Sequence, residues 1–152
     1  MCRLLPLLLI GSTLLLVACG PRDVDRVTLT GRAVLPADTF TDGPVVGRAL
    51  PSAINGRHPP FASVPVQGFS SLVLEQGEMV LALQDNGFGT RVNSPDHPLR
   101  WYRLRLHLDF PPHQGGRVEV LGHQDLHDPD GRVGFPLRDG SPARVLTGAD
   151  FD

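Results

Sequence analysis

The chain has no lysine: all 14 of its basic residues are arginine. That absence excludes chemistry needing a side-chain primary amine, such as a Schiff base or the lysine of a phosphate-binding P-loop. The basic residues form no block and the formal net charge is −2, so the electrostatic footprint of a nucleic-acid binder is missing. Cysteine is scarce, with 2 residues, Cys2 and Cys19, both near the start. No pair remains further along for a disulfide, a redox couple or thiolate-bound zinc, so the fold has to be held by packing. Glycine and proline, in contrast, are abundant, at 17 and 15 of 152 residues. Their share exceeds the ordinary value of about 12% but stays below the roughly 25–30% that marks low-complexity disorder. With 41% hydrophobic residues the chain still fills a core. Short strands joined by many turns suit this mix, and long helices do not.

Residues 1–18 read as a targeting signal. Arg3 supplies a positive charge and residues 4–17 are nearly all apolar, broken by Pro6 and Gly11-Ser12-Thr13. The run falls short of the about 20 residues that a membrane span needs and fits a secretory signal. Its end, Leu16-Val17-Ala18-Cys19, resembles the bacterial lipobox. The resemblance implies lipid transfer to the Cys19 sulfur, cleavage after Ala18 and acylation of the new amino group. The alternative is an ordinary signal peptide with an incidental Cys19. Two or three acyl chains, at about 0.8 kcal/mol per buried methylene, make a stable membrane anchor. With Gly20 rather than Asp behind the cysteine, a Gram-negative envelope would carry the protein on its outer membrane, facing the periplasm. In another envelope it would sit on the outer face of the cell membrane. Residues 19–26 read as a polar tether.

Period-two alternation then predicts strands. The first covers residues 27–35, where Val27, Leu29, Gly31, Ala33 and Leu35 share a face. Residues 36–66 carry six prolines and read as an extended excursion across a surface, with a short strand at Val45-Val46. Residues 69–75 and 78–84 are predicted as a hairpin around a two-residue turn, Gln76-Gly77. The apolar run Met79-Val80-Leu81-Ala82-Leu83 suits a strand buried on both faces. Residues 91–100 read as a polar loop. In residues 101–110, Tyr102, Leu104, Leu106, Leu108 and Phe110 face one way and Arg103, Arg105, His107 and Asp109 the other. Residues 117–121 complete four antiparallel strands. The predicted fold class is all-β: a four-stranded antiparallel meander, like one blade of a β-propeller, plus an N-terminal strand. Half of a β-sandwich is the alternative.

Chemical motifs are few. Asp125, Asp128, Asp130 and Gly131 fail the EF-hand spacing, and Asp128-Pro129-Asp130-Gly131 reads as a turn. His123 and His127 are four residues apart but not on a helix, so the spacing does not place them on one face. His107 reads as solvated beside Arg105. Ser70 and Ser71 lack the frame of a nucleophile elbow, and no glycine loop cradles a phosphate. The residues themselves leave the catalytic groups unknown.

Four patches together carry a resemblance. They are Gly68-Phe69-Ser70-Ser71-Leu72, then Leu83-Gln84-Asp85-Asn86-Gly87-Phe88-Gly89, then Leu126-His127-Asp128-Pro129-Asp130-Gly131 with Gly134-Phe135-Pro136, and finally Leu146-Thr147-Gly148-Ala149-Asp150-Phe151-Asp152. In this order they resemble the phytase-like family, also called esterase-like activity of phytase. Gln84 stands where that family commonly has Ser. The resemblance runs over roughly residues 29–152 and implies that residues 27–152 are the N-terminal part of a β-propeller domain, incomplete here because the sequence stops inside the last motif. It further implies phosphate-ester hydrolysis outside the cytoplasm, aided by bound Ca²⁺ in the whole propeller. Asp85, Asn86, Asp150 and Asp152 match family motif positions and are the candidate metal ligands, since Ca²⁺ takes six to eight oxygens. The competing reading is that they cap turns. Two other functions stay open: a propeller lipoprotein that binds or scaffolds without catalysis, and a small independent β-sandwich lipoprotein of the envelope.

Overall fold

The computed structural model describes residues 28–54, 56–110 and 115–151. The signal, Cys19, the tether, Val27 and Asp152 lie outside the described residues. Two short strands come first, β1 (Phe40–Thr41) and β2 (Val64–Pro65), and pair antiparallel with each other. Four longer ones follow: β3 (Phe69–Leu74), β4 (Met79–Gln84), β5 (Arg100–His107) and β6 (Arg117–Asp125). They form a single antiparallel sheet in chain order, β3-β4-β5-β6. The protein is all-β, with the four-stranded meander that the alternation predicts; a single turn of helix, α1 (Gly148–Phe151), closes the described chain.

The sheet's inner face explains its order. Val80 and Ala82 of β4 and Tyr102 and Leu104 of β5 are buried, and with Val66 they form the main core. Leu35, Phe69, Leu106, Val118 and Val120 pack around them. The register sets Val80 opposite Leu104 and Ala82 opposite Tyr102, so the buried apolar side chains meet across strands on the inner face. The Phe69 ring meets Tyr102 edge-on, with centroids 5.5 Å apart. Each such buried side chain contributes about 1.5–3 kcal/mol.

Several expectations need correction. Residues 79–83 are not buried on both faces. Val80 and Ala82 are buried, whereas Met79, Leu81 and Leu83, on the other face, are half-buried. The turn between β3 and β4 is wider than two residues: Glu75 N–H donates to Met79 O at 2.9 Å, and Gly77 at φ +66° makes the reversal. β5 ends at His107 and not at Phe110, because Asp109 leaves the ladder and exchanges backbone bonds of 3.1 Å with Arg32. Leu108 and Phe110 are accordingly exposed. β6 runs on to Asp125, four residues past the predicted end.

The segment predicted as an N-terminal strand makes two isolated bridges instead, Arg32 with Asp109 and Val34 with Arg117. It does lie beside the main sheet. Leu35 reaches the core, but Leu29 is 74% exposed. Residues 36–66 run largely exposed, as expected of a surface excursion, but they also contribute a buried cluster. Val46, Phe61 and Val64 form a second core, joined by Phe40, Leu50 and Phe88. Prolines deny ladder donors and keep β1 and β2 two residues long, and Val45-Val46 yields one bridge, Val46 with Phe61. The aromatic rings hold this part instead: Phe40 to Phe61 and Phe61 to Phe88 are both 5.9 Å between centroids.

The loop at 91–100 is polar but exposed mainly in its first part. Ser94, His97, Leu99 and Arg100 are buried. Its backbone is stitched to the last described residues: Leu99 N–H donates to Leu146 O at 2.8 Å, Gly148 N–H to His97 O at 2.9 Å and Ala149 N–H to Ser94 O at 3.2 Å. The segment at 143–145 contributes a bridge from Val145 to His127.

Candidate functional site

The site lies where β4 ends and β5 begins. An open cleft of about 440 Å³ is lined by Ser70, Leu83, Asp85, Asn86, Leu99, Leu126 and Phe151. All four patches of the family resemblance meet around it. Gly68 approaches Asn86 so closely that a Cβ on it would lie 3.1 Å from Asn86 O. Gly87 and Gly148 touch backbone to backbone: a Cβ on Gly148 would be 2.8 Å from Gly87 N and 2.7 Å from Ser94 Cβ. The rings of Phe135 and Phe151 stack edge-on at 5.8 Å. Gly148 is thus required by close approach and not by an unusual φ. Gly148→Ala is expected to cost about 2 kcal/mol, the usual scale of overpacking. Urea unfolding of the variant beside Gly134→Ala, where a Cβ would meet open space, checks this.

Three of the four candidate metal ligands, Asp85, Asn86 and Asp150, lie among the described residues. The exposed Asp85 makes no hydrogen bond or ion pair among the described residues. Asn86 turns its Oδ1 to Gly89 N–H at 3.0 Å, a local side-chain cap of the turn. Asp150 is buried and committed elsewhere: Oδ1 accepts from Arg138 N–H at 2.8 Å, and Oδ2 from Thr147 N–H at 2.7 Å and Thr147 Oγ1 at 2.9 Å. Asp152 lies outside the described residues. Among the described residues no group of three or more His, Cys, Asp or Glu side chains is placed to hold a metal ion. Asp85 is the one uncommitted carboxylate among the described candidates, so a Ca²⁺ ion with its six to eight oxygens would need further ligands from carbonyls, water or residues outside those described.

Beneath the cleft runs a buried polar chain that the sequence did not reveal. Tyr102 Oη donates to Gln84 Oε1 at 3.1 Å, and Gln84 Nε2 lies 3.4 Å from His97 Nε2. The other ring nitrogen, His97 Nδ1, lies 3.0 Å from Pro98 O. A carbonyl only accepts, so Nδ1 carries the proton and Nε2 accepts from the Gln84 amide. Burial pushes the His97 imidazolium down to about 4, and burial raises the Tyr102 phenol. Both groups are therefore neutral near pH 7. Phe88 stands edge-on to His97 at 4.7 Å, tying the 83–89 patch to this chain. Next to it Arg100, 1% exposed, donates from Nε to Asp125 Oδ1 at 2.5 Å, and from Nη1 to Thr41 Oγ1 at 3.0 Å and Asp42 O at 2.8 Å. The one available signal was Gln84, a polar residue at the inward end of an apolar strand.

The remaining histidines and aspartates have local roles. His107 is not simply solvated: its Nε2 lies 2.8 Å from Glu119 Oε2. His127 Nδ1 bonds Ala143 O at 3.0 Å, and His123 is half-buried on β6. Asp128 anchors its turn, accepting from Arg132 N–H at 2.7 Å, Val133 N–H at 3.2 Å and Arg144 Nη2 at 2.7 Å. The Arg144 hydrogen bond holds its carboxyl below the usual range.

Comparison with protein-family models, with curated proteins and with solved structures finds no match to this chain.

Proposed function

We propose that this is a lipid-anchored protein of the bacterial envelope, acylated on Cys19, whose residues 27–152 are part of a phytase-like β-propeller that hydrolyses phosphate esters when whole. The observation that carries the reading is the convergence of the four motif patches, separate in sequence, around one cleft at the end of an antiparallel meander. The anchor rests on the Leu16-Val17-Ala18-Cys19 pattern behind an apolar run. No helix among the described residues is long and apolar enough to cross a membrane.

Two measurements test the proposal. Expression with labelled palmitate is expected to label the wild type and leave Cys19→Ser unlabelled; a labelled variant overturns the anchor. Hydrolysis of a generic phosphate ester, with and without Ca²⁺, is expected to show no turnover for the 152-residue chain, because a propeller site is assembled from several blades. Calcium-dependent turnover abolished by Asp85→Ala would make the chain a complete enzyme and overturn that account of it.

A second reading, a propeller module that binds without catalysis, has its own support. Ser70 makes no hydrogen bond to a histidine or carboxylate among the described residues, so the cleft holds no assembled nucleophile and base. The reading predicts ligand binding without turnover.

A further inference from the structure

The cleft offers little to a calcium ion and more to a different cation. Calcium takes six to eight oxygen ligands from carboxylates, carbonyls and water. Here four of the seven lining residues are apolar, Leu83, Leu99, Leu126 and Phe151, and their side chains supply none. Asp85 contributes the one charge on the lining, and its carboxylate has no partner among the described residues. Phe151, 52% exposed, presents a ring that Phe135 holds edge-on at 5.8 Å. One free carboxylate beside an available aromatic surface and aliphatic walls suits a monovalent cation on an apolar body. The carboxylate meets the charge, the ring adds a cation–π contribution, and the leucines cover the hydrocarbon. The volume of about 440 Å³ falls in the range of small-molecule sites.

We propose that the cleft between Asp85 and Phe151 binds an organic ammonium ion carrying an apolar group. The ammonium pairs with Asp85 at the rim, within reach of the Ser70 hydroxyl side of the cleft, and the apolar group lies on Leu83, Leu99 and Leu126. Arg100, the nearest buried guanidinium in the adjoining chain, is already held by Asp125 and does not compete for Asp85. The proposal concerns binding alone and stands whether or not the whole propeller hydrolyses phosphate esters.

The test is a titration of the detergent-solubilised full chain, followed by backbone amide NMR shifts at Ser70, Asp85, Asn86 and Gly87. The probes are benzylammonium, its neutral counterpart benzyl alcohol, and CaCl2. Benzylammonium is expected to give saturable shifts at these amides, and benzyl alcohol to bind more weakly. Asp85→Asn is expected to weaken benzylammonium roughly fivefold, the scale of an exposed ion pair, while leaving benzyl alcohol unchanged. Asp85 holds no structural hydrogen bond, so the variant keeps its fold. Phe151→Leu keeps an apolar wall and removes the ring, and is expected to cost a further two- to threefold. Equal affinity for the alcohol and the ammonium overturns the proposal. So does binding that ignores Asp85→Asn, or calcium binding at these amides tighter than that of the ammonium.

Discussion

Replacing Arg100 with alanine is expected to destabilise the protein by about 3 kcal/mol, near the lower end of the cost of breaking a buried ion pair. Three groups lose their donor at once: Asp125 Oδ1, Thr41 Oγ1 and Asp42 O. The Asp125 side chain is 26% exposed, so water takes back part of its solvation, which keeps the cost from the top of the range. The loss also has a direction. Arg100 sits opposite Asp125 in the β5–β6 register and reaches across to β1, so it fastens the second core to the main sheet. Packing around it is tight: a Cβ on Gly43 would lie 2.4 Å from Arg100 Nη2, so the pocket is shaped to the guanidinium. Urea unfolding of Arg100→Ala, Asp125→Ala and the double variant gives the coupling energy directly. A coupling near zero, with Arg100→Ala costing less than about 1 kcal/mol, is the exposed-pair outcome and would refute the role given to it here. Hydrogen exchange in Val46, Phe61 and Val64 is expected to rise before that of Val80 and Leu104, because the second core loses its fastening first.

How far the sequence revealed this structure depended on whether the responsible force was local. The hairpin and the two long strands were legible because alternation at period two is written into consecutive residues: Tyr102 and Leu104 inward, Arg103 and Arg105 outward. The alternation continues past His107 into Leu108 and Phe110, but the strand does not, since Asp109 finds a better partner in Arg32. Nothing within residues 101–110 encodes that partner. The second core within residues 36–66 is illegible in the sequence for a related reason. Proline announces the absence of ladder bonds, and that much is true of β1 and β2. The order there comes instead from Phe40, Phe61 and Phe88, which meet only after the chain has folded back.

The candidate site shows the same division. The patches carrying the resemblance were visible as short words, and the structure gathers them at one cleft. Their individual roles were not visible. Asn86 accepts from a backbone N–H, and Asp150 from two backbone N–H groups and the Thr147 hydroxyl, bonds that no string of letters shows. His97 is inconspicuous in the sequence because its neighbours Asn93, Ser94 and Asp96 are ordinary loop residues. Burial of that loop is a tertiary effect: the segment around Leu146 and Gly148 lies over it and satisfies its carbonyls.

His97 gives the protein an acid sensitivity of definite sign. In the unfolded chain the imidazole titrates near its ordinary value of about 6.5. In the folded protein burial lowers it to about 4, with the nearby Arg100 charge acting in the same direction and Asp96 and the Pro98 carbonyl partly opposing. The unfolded state therefore binds the proton more readily, and stability falls as the pH drops from about 6.5 towards 4. The full stabilisation is present above about 6.5 and the loss is complete near 4, amounting to about 3 kcal/mol across the window. His123, half-buried and shifted in the same direction by burial and by Arg100, adds to the slope with the same sign. The carboxylates held low by hydrogen bonds, Asp128 and Asp139 among them, act in a different window. Their stabilisation is lost only as the pH falls below about 4, so they do not mask the histidine. The check is the urea midpoint at pH 7 and at pH 4.5 for the wild type, His97→Gln and His123→Gln. The wild type is expected to lose most of its His97 contribution between those two values. His97→Gln is expected to be less stable at pH 7, since the amide fits the imidazole site imperfectly, but to lose much less on acidification. An unchanged pH slope in His97→Gln would show that the ring is already accessible to protons in the folded protein. The polar chain from Tyr102 through Gln84 to His97 would then not be the closed network that its distances describe.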